Sequence, residues 1–158
     1  MTEQLNIYDS ATHVKPPKVL IVDDSGVNRE VMKIFLANDF PEPYLARNGQ
    51  EAVNILLQHS VDIVLMDIHM PIMDGLMATK IIRESQKDWA NIKIIAVTGD
   101  DHFHRIEVCK HYAIDDVIAK PFLQEELVTK IMSIWQESFI LDEVNSQPVY
   151  PSNSQGTI

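Results

Sequence analysis

Short runs of apolar, largely β-branched residues, recurring between longer segments of helical period, govern what this chain can fold into. The runs lie near residues 18–23, 43–46, 62–67, 92–98 and 115–119. They are apolar nearly throughout rather than alternating, so each expects to be buried on both faces, as strands of a parallel sheet covered by helices are. Between them, Val27, Val31, Ile34 and Phe35 fall on one helical face, and Ala52, Val53, Leu56 and Leu57 on another that opens at Gly49. Both stripes read as core. A third helical segment follows Asp74-Gly75 through Ala78, Ile81 and Ile82; a fourth holds Phe103, Ile106 and Cys109; a fifth holds Leu123, Leu127, Ile131, Ile134 and Trp135. The alternation predicts an α/β fold with a doubly wound five-stranded parallel sheet and helices on both faces.

The folded part runs from about residue 18 to residue 137. Residues 1–17 are polar, carry no period and end at Pro16-Pro17, and so read as an N-terminal extension. Residues 138–158, with Pro148, Pro151 and several serines and asparagines, read as a flexible C-terminal tail. Nothing after residue 137 has the pattern of a second domain, so neither a DNA-binding module nor a catalytic effector is expected within the chain.

Charge and cysteine usage narrow the class further. A formal net charge of -10, with no cluster of Lys and Arg, argues against direct contact with nucleic acid, because neutralising phosphates needs grouped cations. No apolar run has membrane-spanning length, and the first residues lack the apolar core of a signal peptide, so neither membrane insertion nor export is expected. One cysteine, Cys109, cannot form an internal disulfide and fits a reducing compartment, hence a cytoplasmic location.

Polar residues stand where four of the five strands should end: Asp23 and Asp24, Asp67, Thr98 and Lys120. In an open parallel sheet the carboxyl ends of the strands share one edge, and ligands bind there where the strand order reverses. Three carboxylates can give Mg²⁺ a partial set of oxygen ligands. Aspartate can also act as a nucleophile toward phosphorus, provided that the phosphoryl charge is neutralised by a metal and by cationic or hydroxyl donors. Singly, each residue has an ordinary reading: Asp23 and Asp24 as helix caps, Thr98-Gly99 as a turn, Lys120 as a surface charge. Their joint placement at one edge is what caps and turns do not explain.

The segments KVLIVDDSGVNR, DIVLMDIHMPIMDG, IIAVTGDD and IAKPF resemble the receiver domain of bacterial two-component response regulators, over residues 18 to about 137. The resemblance implies a flavodoxin-like sheet in the order 2-1-3-4-5. It implies that Asp67 is the phosphoacceptor, that Asp23, Asp24 and Asp67 hold Mg²⁺ (or Mn²⁺), and that Asp24 and Asp67 are direct ligands. His69 matches the position whose backbone carbonyl completes the metal site, Thr98 the hydroxyl that moves toward the phosphoryl group, and Lys120 the lysine that pairs with it. Pro121 matches a cis-proline, and Met70-Pro71 and Asp74-Gly75 the loop at the mouth. The implied partners are a histidine kinase or phosphotransfer protein as donor and an effector protein that reads the fourth and fifth helical segments. The implied role is that of a stand-alone phosphoacceptor regulator rather than an enzyme acting on a separate substrate.

The chain departs from the family pattern at Val117, where many receivers carry Tyr or Phe as a rotating switch. Phe103 is a candidate to fill the volume that Thr98 would vacate, and Gly99 stands where Ala is common. His69 and Asp100 are expected to flank the path of water to an acyl phosphate. Other readings fit the residues less well. An aspartate-nucleophile phosphatase wants a second Asp shortly after the nucleophile on the first strand and a substrate cap, and the chain shows neither. A phosphate-independent interaction module is opposed by the intact set of five polar residues. A zinc site at His102 and His104 lacks suitably spaced partners.

Overall fold

The computed structural model describes residues 14–99 and 102–145. The elements alternate as expected: β1 (Val19–Val22), α1 (Gly26–Leu36), β2 (Tyr44–Ala46), α2 (Gly49–Gln58), β3 (Ile63–Asp67), α3 (Gly75–Glu84), β4 (Lys93–Thr98), α4 (His102–Tyr112), β5 (Asp116–Ala119) and α5 (Gln124–Asn145), with a 3-10 turn at Asp88–Asn91 before β4. The five strands form one sheet in the order β2-β1-β3-β4-β5. All neighbours are parallel, with Val22 paired to Met66, Asp67 to Val97 and Thr98 to Ala119. Those registers bring the strand ends to one edge.

Strand parity divides the core in two. Val19, Ile21, Ile63, Leu65, Ile95, Val97 and Ile118 point to the face covered by α1 and α5, where they meet Met32, Leu36, Leu127 and Ile131. Leu20, Val22, Val64, Met66, Ile94 and Ala96 point to the other face, with Ala52, Leu56, Ala78 and Ile82. Each fully buried Leu, Ile or Met removes apolar area from water worth about 1.5–3 kcal/mol, which is why strands apolar on both faces are favoured here.

The α1 stripe is corrected by the structure. Val27 and Ile34 are 74% and 65% exposed, and the seam that faces the sheet is Met32 and Leu36, with Phe35 at its border. Apolar residues occur on both sides of this helix, so periodicity alone leaves the inward face ambiguous. Leu57 of α2 and Leu123 before α5 are likewise exposed.

The boundary at residue 137 is also moved. Helix α5 continues to Asn145, so residues 138–145 belong to it rather than to a tail. No Pro or Gly interrupts Gln124–Asn145, and the helix is supported past residue 137 by an edge-on contact of the Trp135 and Phe139 rings and by the Ser138 hydroxyl donating to the Ile134 carbonyl one turn back. At the other end, the Trp135 indole donates to the carbonyl of Lys15 at 2.9 Å, and Pro17 is buried, so the last residues of the N-terminal segment lie against the domain. Residues 1–13 and 146–158, Asp100, and the side chains of His102, Phe103 and His104, on which expectations were placed, lie outside the described residues.

Candidate functional site

The turn after β1 is built by Asp23. Its side chain is fully buried, and its Oδ1 accepts the backbone N–H of Ser25 at 2.9 Å. Ser25 then caps α1, its hydroxyl accepting from the N–H of Asn28 at 3.3 Å. The Asn28 amide reaches back to both Asp23 oxygens, at 3.4 and 3.3 Å, and the Arg29 guanidinium donates to the Asp23 carbonyl at 2.6 Å. The neighbouring carboxylate, Asp24, is exposed. The pair thus divides into one carboxylate enclosed in donors and one facing solvent.

Asp67 ends β3, and its residue is only 7% exposed. Burial pushes its carboxyl above the ordinary carboxylate range; the Lys120 charge opposes this, the Asp23 charge adds to it, and a hydrogen bond from the His69 backbone N–H opposes it further. The mouth loop is fixed from both ends. Asp74 caps α3 by accepting from the Met77 N–H at 2.8 Å, and the Gly75 N–H donates to the Ile68 carbonyl at 2.9 Å. Gly75 is obligatory there, because a Cβ would run into the Asp67 carbonyl group.

Lys120 follows β5, at a cis Lys120–Pro121 bond, and its backbone N–H donates to the Thr98 carbonyl at 2.9 Å. Its Nζ lies 2.7 Å from Asp23 Oδ2 and 3.4 Å from Asp67 Oδ2. Burial depresses the ammonium, but the Asp23 hydrogen bond and the charges of Asp23 and Asp67 outweigh it, leaving it above the ordinary lysine value. Thr98 ends β4 with a side chain that is nearly inaccessible. Asp23, Asp24 and Asp67 each offer an oxygen, and these atoms lie within 4.8 Å of one another. Such a set of hard oxygen donors, open to solvent through Asp24, fits Mg²⁺.

With this geometry in hand, the pattern of the response regulator receiver domain matches residues 19–132. The chain belongs to that family. Over 114 residues it is 34% identical to the CAI-1 autoinducer sensor kinase/phosphatase CqsS of Vibrio cholerae, covering 72% of this chain and 17% of that protein. Over 120 residues it is 31% identical to the sensor protein GacS of Pseudomonas syringae pv. syringae, covering 75% of this chain and 13% of that one. The receiver therefore spans less than a fifth of the length of these curated relatives. Among solved structures it resembles the receiver domain of the sensor histidine kinase PA1611 from Pseudomonas aeruginosa, described with a magnesium ion coordinated in the active site cleft. That likeness has a TM-score of 0.69 at 28% identity and covers 77% of this chain and 99% of that one. The flavodoxin-like order 2-1-3-4-5 is the one observed.

Sequence reasoning left several contacts of the receiver unassigned. Asn28 and Arg29 stand inside the first motif but were given no role, although an amide three residues after a cap is placed to reach back over the turn. Arg83 donates to the carbonyls of Ala113, Ala90 and Ile92 at 2.9, 2.8 and 2.7 Å, and to Asp115 at 3.0 Å, joining α3 to the segments that lead into β4 and β5. Val117 is half-buried at the border of the core on the α2–α3 side of the sheet, and Lys130 of α5 donates to its carbonyl at 3.2 Å and to Asp116 at 3.1 Å. The strand that lacks the aromatic ring is thereby stapled to α5. These partners are far apart in sequence and leave no local pattern.

Proposed function

We propose that this receiver takes a phosphoryl group onto Asp67 from the phosphohistidine of a histidine kinase or phosphotransfer protein, and that the modification changes which protein it binds. The observation that carries the reading is the Asp67 carboxylate at the sheet edge, with the Lys120 ammonium 3.4 Å away and two further carboxylates beside it. An Asp67 oxygen forms the new O–P bond while the P–N bond to the donor imidazole breaks, its electron pair returning to that ring nitrogen. Asp24, Asp67 and the His69 backbone carbonyl would hold Mg²⁺ (or Mn²⁺) directly, with Asp23 behind them. When bound, the ion would neutralise charge on the phosphoryl oxygens.

The protein's own groups supply the rest. Lys120 turns from the carboxylates to a phosphoryl oxygen, and the Thr98 hydroxyl donates to another. The donor reaches the site past a cleft of about 340 Å³ between α1 and the loop after β5, lined by Asn28, Val31, Phe35, Lys120, Pro121 and Phe122. The shift at Thr98 is carried to α4, β5 and α5, where an effector protein reads it. The receiver acts as a regulator that processes only its own phosphoryl group, in the cytoplasm. None of the described helices is long and apolar enough to cross a membrane.

Incubation with acetyl phosphate and Mg²⁺, followed by intact mass, tests the reading. The expected result is a gain of one phosphoryl group, absent without the metal and absent in Asp67→Asn. No gain with any donor or divalent metal would leave a receiver fold that binds partners without phosphate.

A further inference from the structure

The Asp23 carboxylate is fully buried, and in this state it has three donors. Oδ1 takes the Ser25 N–H at 2.9 Å, Oδ2 takes the Lys120 ammonium at 2.7 Å, and the Asn28 amide straddles both oxygens at 3.4 and 3.3 Å. A phosphoryl group on Asp67 adds negative charge beside the Lys120 ammonium, which already lies 3.4 Å from Asp67, and draws it that way at the expense of its short bond to Asp23. Removing the cation from a buried carboxylate is strongly unfavourable unless another donor takes up the charge. The Ser25 N–H is already at full hydrogen-bonding distance and belongs to the backbone of the turn. Only Asn28 has slack, since its bonds exceed the usual 2.9–3.0 Å of an N–H···O contact.

We propose that Asn28 is a positioning residue for phosphoryl transfer: its side-chain amide is a reserve donor that closes on Asp23 as Lys120 leaves for the phosphoryl oxygens. Being neutral, the amide stabilises the vacated carboxylate without competing for charge with a nearby metal ion. Its place is set by the α1 cap, because the Ser25 hydroxyl holds the Asn28 N–H and the Arg29 guanidinium holds the Asp23 carbonyl. The inference rests on Asp67 being the phosphoacceptor. It adds that the ease of Lys120 release is set from α1.

The test compares Asn28→Ala and the similarly sized Asn28→Leu with the unmodified full chain, using acetyl phosphate as the phosphodonor. Before transfer Lys120 still holds Asp23, so the concentration of acetyl phosphate at half-maximal rate and the Mg²⁺ affinity from calorimetric titration should stay within about twofold. The rate constant at saturating acetyl phosphate should fall about tenfold in both variants, because the lost bond is one to a charged group made fully only after Lys120 moves. An unchanged rate constant overturns the proposal. So does a loss of Mg²⁺ affinity in proportion to the rate, which would make Asn28 a plain support of the resting site. If the unmodified chain itself takes no phosphoryl group, the phosphoacceptor reading fails; if it does and the variants match it, only the role of Asn28 fails. Ala and Leu are both better helix formers than Asn, and a thermal melt of each variant confirms that α1 is kept.

Discussion

Replacing Gly75 by Ala should destabilise this receiver and weaken its site together. Gly75 is the first residue of α3, and a Cβ built on it falls 2.9 Å from the Asp67 carbonyl carbon and 2.9 Å from Met66 Cγ, and closer still to the Asp67 carbonyl oxygen. Met66 can rotate, but the Asp67 backbone is held in the β3–β4 register and cannot. Helix α3 must therefore lift from the sheet edge. In an open helix Ala would be favoured over Gly by about 1 kcal/mol, whereas overpacking against a fixed neighbour costs about 1–3 kcal/mol and sometimes more. Contact with backbone rather than a side-chain tip sets the overlap cost at the upper end, so the net loss is about 2 kcal/mol. For a chain of this size that lowers Tm by about 4–8 °C in a calorimetric melt. Gly99→Ala is the internal control, since among the described residues, its chain neighbours aside, no atom lies within 4 Å of its Cβ, and its φ is not positive. That variant should melt at or slightly above the parent, by up to about 1 kcal/mol of unfolded-state entropy. A Gly75→Ala protein that melts with the parent would refute the argued contact between α3 and Asp67.

Two further outcomes follow from groups near and far from the site. Asp67→Asn should raise Tm at neutral pH in the absence of divalent metal, because burial, with the Asp23 charge adding, holds the Asp67 carboxyl above its ordinary value. A carboxyl raised on folding favours the protonated native state, so its ionisation costs stability as pH rises through the folded value; the gain from Asn should fade as pH falls below the ordinary carboxylate range. An Asn variant that is less stable at neutral pH would contradict the sign. Arg83→Met should cost about 1–3 kcal/mol in chemical denaturation, since it leaves the Ala90, Ile92 and Ala113 carbonyls without this donor while Asp115 keeps Lys93 and the Ile94 N–H, and amide exchange at residues 92–94 and 113–115 should quicken. Unchanged exchange there would show that water replaces the guanidinium without loss.

The parallel sheet and the convergence of Asp23, Asp67, Thr98 and Lys120 were legible because buried strands must be apolar along their length, so a polar residue at the end of one stands out. The sheet edge then collects such residues whatever their separation in sequence. The inward face of α1 was not legible. Val27, Val31, Ile34 and Phe35 make as good a stripe as Met32 and Leu36, and only packing on the sheet selects the second. The end of α5 was obscured by the polar residues Gln136, Glu137 and Ser138, which are compatible with helix once Trp135 and Phe139 anchor it. The donors around Asp23 and the reach of Arg83 depend on which segments fold onto one another, and a motif read along the chain does not carry that. Asn28 lies between the two cases: its spacing from Ser25 signals a turn, while its use depends on Lys120 arriving from β5.

Chemical trapping of the acceptor decides the central claim most directly. An acyl phosphate on aspartate is reduced by borohydride to homoserine, which marks the acceptor in a peptide map. After treatment with acetyl phosphate and Mg²⁺, the conversion should appear at position 67 alone, with Asp23 and Asp24 unchanged. Reduction at either of those two residues, or a stable phosphoryl group on His69 with none on Asp67, would contradict the account.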